Sequence, residues 1–216
     1  MHDAEKSETD VSQPLPKEQV YAALRTAPFT YVPGTFNTRD LGLVSSALRP
    51  GLAYRSGMLT GLGEEGKKVL REKLGVKKIF DLRSVREREA QPDPAVERVE
   101  NVDYGGSVKG VLEHVRDGVG EGFLFHCTAG RDRTGVVAGL LMTLAGAKPE
   151  DIKLDFMLSR IGTEPAREQL VAASSWDAFV EAVDREYGGF EGYVTGVLGF
   201  SEHDLVVIKK NLAAVV

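Results

Sequence analysis

Apolar positions along this chain fall into short runs separated by glycine, proline and charge. The beginning carries few of them: Ser, Asp, Glu, Gln and Pro dominate residues 1–17, which leaves little to bury. Residues 1–19 are therefore expected to form a flexible acidic tail, and residues 20–216 one folded domain. A short helix is predicted over Val20–Ala27, stopped by Pro28. Phe29–Val32 and Leu52–Arg55 are β-prone. Gly61–Gly75 reads as a helix with Glu64 and Glu65 near its start, Lys67, Lys68, Arg71 and Lys73 towards its end, and Gly75 as its stop. Val76–Leu82 is a compact apolar run suited to a buried strand. Arg83–Pro94 is charged and then broken by proline. Val96–Val102 reads as another strand, Val108–Val119 as a helix, Phe123–His126 as a buried strand and Thr134–Ala145 as a strongly apolar helix. Helical segments fill the rest: one from Pro149 with Ile152, Phe156 and Leu158 on an apolar face, one over Glu164–Ala173, and one over Trp176–Tyr187 ended by Gly188-Gly189. A last helix runs over Glu202–Ala214 behind a Ser201/Asp204 capping box. Strands alternating with helices predict an α/β fold: a central, mostly parallel sheet flanked by helices, with a helical C-terminal part.

Composition narrows the function classes. Of the 216 residues, 42% are hydrophobic and 27% charged, the balance of a soluble globular chain. The formal net charge of -5 leaves no broad basic face, so no nucleic-acid partner is expected. No apolar run approaches the roughly 18 residues of a membrane span. The start of the chain lacks the apolar core of a secretory signal. A single cysteine rules out an internal disulfide, and a cytoplasmic location is expected. One Cys and four His show no ligand spacing, so neither a metal nor another cofactor is expected.

The chemistry concentrates at one junction. Cys127 and Arg133 stand five residues apart, between a buried strand and an apolar helix. In a parallel sheet such a loop aims its backbone N–H groups and the helix N-terminus at one point, which is an anion site. Gly130 lets the loop curl, and Thr128, Ala129, Gly130 and Arg131 are expected to line it. Arg133 can grip two phosphate oxygens with its planar fork. The same field lowers a thiol's pKa from about 8.5 into the range of about 3.5 to 7.5. Cys127 is thus the expected nucleophile, attacking phosphorus to give a phosphocysteine that water hydrolyses. Thr134 is expected to hydrogen-bond the sulfur, and His126 to order the loop through backbone contacts. A buried, inert cysteine is the alternative for Cys127, but Cys, Gly, two Arg and Thr at one junction outweigh it.

A leaving group needs a proton donor. Asp81, closing the strand Val76–Leu82, is ranked narrowly first. Asp103, before Tyr104-Gly105-Gly106, is second. Asp132, inside the loop, is expected to orient Arg133 or the loop as readily as to transfer a proton.

His126–Gly135 resembles the signature loop of protein tyrosine and dual-specificity phosphatases: His-Cys, five residues, Arg, then Ser or Thr. More narrowly, Cys127-Thr-Ala-Gly-Arg-Asp-Arg-Thr-Gly135 is similar to the loop of the bacterial and fungal atypical tyrosine phosphatases that include secreted mycobacterial and listerial members. Phe36–Gly42, Tyr54–Gly57, Phe80–Ser84 with Glu87, and Gly188–Tyr193 fit the same family, so the resemblance covers about residues 28–212. It implies a phosphotyrosine-protein-phosphatase-like fold and metal-free catalysis with Cys127 as nucleophile and Arg133 as clamp. It also implies phosphorylated proteins, phosphoinositides or inositol phosphates as substrate partners. Arg131 stands where members often carry Lys. The short span from Asp103 to Cys127 leaves little room for a helical lid, so an open site is expected. Thr38-Arg39-Asp40 and Arg55-Ser56 are expected to form a buried ion-pair network that braces the loop.

Two other chemistries share such a cradle: rhodanese- or arsenate-type thiolate reactions, and phosphate reading without turnover. The lone cysteine excludes intramolecular resolution in the first. Gly61–Gly66 matches a dinucleotide fingerprint formally, but Glu64 and Glu65 stand where a pyrophosphate must bind. Trp176 and Phe179 read as core.

Overall fold

The computed structural model describes residues 15–102, 108–118, 120–163 and 173–214. Asp103, the Tyr104–Gly106 segment, residues 1–14 of the expected tail and most of the expected Glu164–Ala173 segment lie outside them.

Strand β5 (Gly122–His126) is the centre of the molecule. Every residue in it is buried, which explains its unbroken apolar run. It pairs in parallel with β2 (Ala53–Ser56) on one side and β3 (Val76–Asp81) on the other. β4 (Glu100–Val102) adds in parallel beyond β3, and β1 (Arg39–Asp40) adds antiparallel beyond β2. The order is β1-β2-β5-β3-β4, a mostly parallel sheet flanked by helices. Three parallel strands therefore end side by side at Ser56, Asp81 and His126.

Alternate residues of β5 feed two cores. Phe123 and Phe125 join the larger one, with α4 (Val108–Asp117), α5 (Asp132–Leu144) and α9 (Glu202–Leu212). Leu124 faces the smaller one, with Tyr54, Leu70 and Ile79. Each buried Phe or Leu stabilises the fold by about 1.5–3 kcal/mol. α5 is apolar nearly all round because the sheet, α6 (Pro149–Thr163) and α8 (Phe190–Gly196) enclose it. Trp176 of α7 (Ala173–Tyr187) lies over Gly139 so closely that a Cβ there would sit 1.9 Å from its ring. Trp176 and Phe179 pack with Phe190 as core, as the pattern predicts.

Several boundaries differ from expectation. α1 spans Lys17–Leu24, starting directly after Pro16 and so taking in the end of the expected tail. α2 covers Glu64–Lys68 and continues as a π-helical turn over Val69–Lys73. β4 starts four residues later than predicted, because Val96–Val99 closes a turn and Arg98 takes a positive φ of 62°. A helix that the charge-rich reading of Arg83–Pro94 missed, α3 (Val85–Ala90), begins at a full capping box of Ser84 and Glu87. That Ser-x-x-Glu spacing was legible in the sequence.

Candidate active site

The loop between β5 and α5 is built from its carbonyls outward. Asn37 Nδ2 donates to Gly130 O at 2.9 Å and to Ala129 O at 3.3 Å. Arg55 Nη2 donates to Gly130 O at 2.8 Å and to Arg131 O at 3.3 Å. In a trans peptide the next N–H points opposite to the carbonyl. Three carbonyls tied back therefore turn the N–H groups of Gly130, Arg131 and Asp132 the other way, at the N-terminus of α5. Gly130 makes the turn with φ of 66°, and a Cβ on it would lie 2.4 Å from Ser56 O. No side chain fits there.

A buried network holds these donors. Asp155 of α6 accepts from Arg39 Nε at 2.8 Å and from Arg55 Nη1. Arg39 also reaches Ser159 Oγ at 2.9 Å and Asn37 Oδ1 at 2.5 Å. Burial raises the Asp155 carboxyl, but the two arginines outweigh it and hold it below its ordinary value. Burial, with the Arg55 charge beside it, brings Arg39 down to about 10. Thr38 and Ser56 hydroxyls bond at 2.7 Å, whereas Asp40 accepts from the Gly42 and Gly51 amides and shapes a turn instead. Arg39 and Arg55 thus share the buried ion pair with Asp155 that stands behind the loop. Its anchors, Asn37, Asp155 and Ser159, were missed, because nothing local in the sequence pairs α6 with residues about a hundred positions earlier.

The front of the loop is different. Cys127 is buried at the end of β5. Arg133 is 43% exposed, and its fork meets Glu87 of α3 at 2.7 and 2.8 Å. Thr128 Oγ1 donates to the same carboxylate at 2.7 Å. Arg133 first, then Thr128 and Ser84, hold the Glu87 carboxyl well below the usual carboxylate range. Glu87 therefore aims the guanidinium, a role expected of Asp132. Asp132 instead pairs with Arg131, at 3.0 and 3.1 Å, and is 69% exposed. Thr134 Oγ1 is buried and has no hydrogen-bond partner among the described residues, the sulfur included.

Asp81 stands beside His126 on the rim, as its strand position predicts. Both its oxygens are occupied by Arg83, through the backbone N–H at 2.9 Å and guanidinium contacts of 2.7–3.1 Å. Burial pushes the carboxyl up, but Arg83 and the nearby His126 bring it below its ordinary value. Both oxygens already accept from Arg83, so the geometry gives Asp81 a bracing place. Arg83 also meets Asp93 at 2.9 Å, and Asp93 lies 2.7 Å from His126 Nε2. His126 Nδ1 lies 3.4 Å from Cys127 O. His126 thus lies between the Cys127 carbonyl and Asp93, with the closer contact to Asp93. Asp81, Asp93 and His126 are close enough together to suit a cation, yet Arg83 already neutralises both carboxylates. Among the described residues, no helix is long and apolar enough to cross a membrane.

A tyrosine phosphatase of Nostoc commune is 33% identical over a stretch that covers 41% of this chain and 38% of that protein. The triple specificity protein phosphatase PtpB of Mycobacterium tuberculosis is 45% identical over 26% of this chain and 20% of its own. The chain thus spans less than two fifths of the length of these relatives. Among solved structures, P. aeruginosa TpbA matches 67% of this chain and 84% of its own with TM-score 0.42 and 18% identity. The PP-IP phosphatase Siw14 of S. cerevisiae, crystallised with citrate, matches 71% and 96% with TM-score 0.42 and 16% identity. These two likenesses are too slight to carry a conclusion. The family described as "Tyrosine phosphatase family" matches residues 30–109 and 99–214, which takes in every side chain of the cradle described above. The chain belongs to the tyrosine phosphatase family.

Proposed function

We propose that the protein is a metal-independent cysteine phosphatase that hydrolyses phosphate monoesters through a phosphocysteine. The observation that carries this reading is the loop with its carbonyls tied back by Asn37 and Arg55, around a cysteine at the end of the central strand. Three phosphoryl oxygens fit inward N–H groups and the Arg133 fork, so the chain's own groups supply the positive charge. Cys127 Sγ attacks phosphorus, and the bond from phosphorus to the ester oxygen breaks. Asp132, entering the step as the protonated acid, gives that oxygen its proton, since it is the exposed carboxyl of the loop and both oxygens of Asp81 are committed to Arg83. Water then attacks the phosphocysteine and passes a proton to Asp132, while the Thr134 hydroxyl donates to the departing sulfur. An unpartnered buried hydroxyl supports that last role.

The substrates covered by this reading are phosphotyrosine, phosphoserine or phosphothreonine in proteins, phosphoinositides and inositol phosphates. A name that records triple specificity in one relative supports a broad panel. The test is phosphate release from each class and from p-nitrophenyl phosphate, with Cys127→Ser as control. Release that falls by roughly 10³-fold or more in the variant is the expected result. No release from any substrate by the native chain overturns the reading in favour of a phosphate-binding module.

A further inference from the structure

A cavity of about 570 Å3 opens between α1, the segment 29–38 and Gly162 of α6. It falls within the range of roughly 300–1,000 Å3 that holds small molecules. None of its lining residues belongs to the loop 127–134. Leu24, Phe29, Val32 and Phe36 make its walls mainly apolar. Tyr21 and Tyr31 also line it and are 53% and 76% exposed, and Tyr31 is the most exposed large apolar side chain among the described residues. Half-wet tyrosines beside an apolar hollow suit a ligand with an apolar body and a polar end.

The polar lining indicates what that end is. Thr35 Oγ1 is taken by Val32 O and the Thr38 hydroxyl. Asn37 is spent on Gly130 and Arg39. Arg25 is the one charged residue of the lining, and its side chain makes no hydrogen bond or ion pair among the described residues. One guanidinium without a carboxylate beside it matches one carboxylate on a ligand, through two parallel hydrogen bonds. We propose that the cavity binds a small amphiphilic monocarboxylate, its chain among Leu24, Phe29, Val32 and Phe36 and its carboxylate on Arg25, separately from the catalytic cradle.

Calorimetric titration of the full chain with decanoate, below its micelle concentration, tests this without any turnover. The runs are made with and without saturating orthovanadate, a phosphate-like oxyanion for the catalytic loop. One saturable site is expected, with the same affinity in both runs. Arg25→Glu, an exposed change at the C-terminal cap of α1, weakens decanoate about tenfold and leaves neutral decanol unaffected. Thr30→Trp, which fills the cavity, removes both. Absence of a saturable site, displacement by orthovanadate, or native affinity in Arg25→Glu overturns the proposal. Arg25→Glu decides alone if Thr30→Trp does not fold.

Discussion

Behind the phosphate loop, Arg55, Asn37, Arg39, Asp155 and Ser159 are buried, and they share one hydrogen-bonded network. In front, Arg133 is half exposed on a surface carboxylate, Asp132 is exposed beside Arg131, and the Thr134 hydroxyl has no hydrogen-bond partner among the described residues. The rear donors are held by the protein's own side chains and carbonyls, so their orientation is set by the fold. The front keeps its strongest donors available or on an exchangeable partner. A rigid back and an open front let one loop bind, react and release.

The widest test of that contrast is Asp155→Asn. It leaves Arg39 and Arg55 buried beside a neutral amide, and urea unfolding is expected to record a loss of about 3–5 kcal/mol. A loss below about 1 kcal/mol ends the idea of a rear brace. Gly130→Ala comes next. A Cβ at positive φ, 2.4 Å from Ser56 O, costs about 1–3 kcal/mol and is expected to displace the inward N–H groups, so kcat should fall with stability. Unchanged orthovanadate affinity in this variant counts against the cradle.

Changes at the front are expected to spare the fold. Asp132→Asn should lower turnover of alkyl phosphates by about 10²–10⁴-fold and of p-nitrophenyl phosphate far less, with unfolding unchanged. Asp81→Asn should do the reverse, lowering the urea midpoint with no leaving-group dependence. The opposite pair of outcomes restores Asp81 as the acid. Glu87→Gln loosens the aim of Arg133, and a misplacement of this kind costs up to about 100-fold in kcat/KM. Stability should move by no more than about 0.5 kcal/mol, because the pair is solvent-exposed.

Acid provides the gentlest probe. Burial, with the charge of Lys78 added, holds His114 below its ordinary value, so it is neutral in the fold. Its contribution is complete above about pH 6.5 and declines below it, as the unfolded chain binds the extra proton first. Asp81 and Asp155 are also depressed, so their contribution is complete above about pH 4 and is lost as pH falls through their folded values. Urea midpoints should therefore slip between pH 7 and 5 and drop more steeply below pH 4. His114→Gln should remove the first slope alone.

The reading from residue order reached the central strand, the loop that carries Cys127 and the helix behind it, because strand, turn and helix follow one another within residues 122–144. Periodicity and glycine chemistry are local, and so is an anion site at a strand-to-helix junction. The reading also had Arg39 and Arg55 as a brace, on their resemblance to a family pattern. It did not reach Asp155, Ser159 and Asn37 as anchors, or the pairing of Glu87 with Arg133. Residue types and the 3.6- and 2-residue periods determined which segments are helix or strand and where the one cysteine stands between them. Only the tertiary structure decided which carboxylate meets which arginine. Charge pairing acts across a few ångströms of space, and the packing of α6, α3 and β3 around the loop sets those distances.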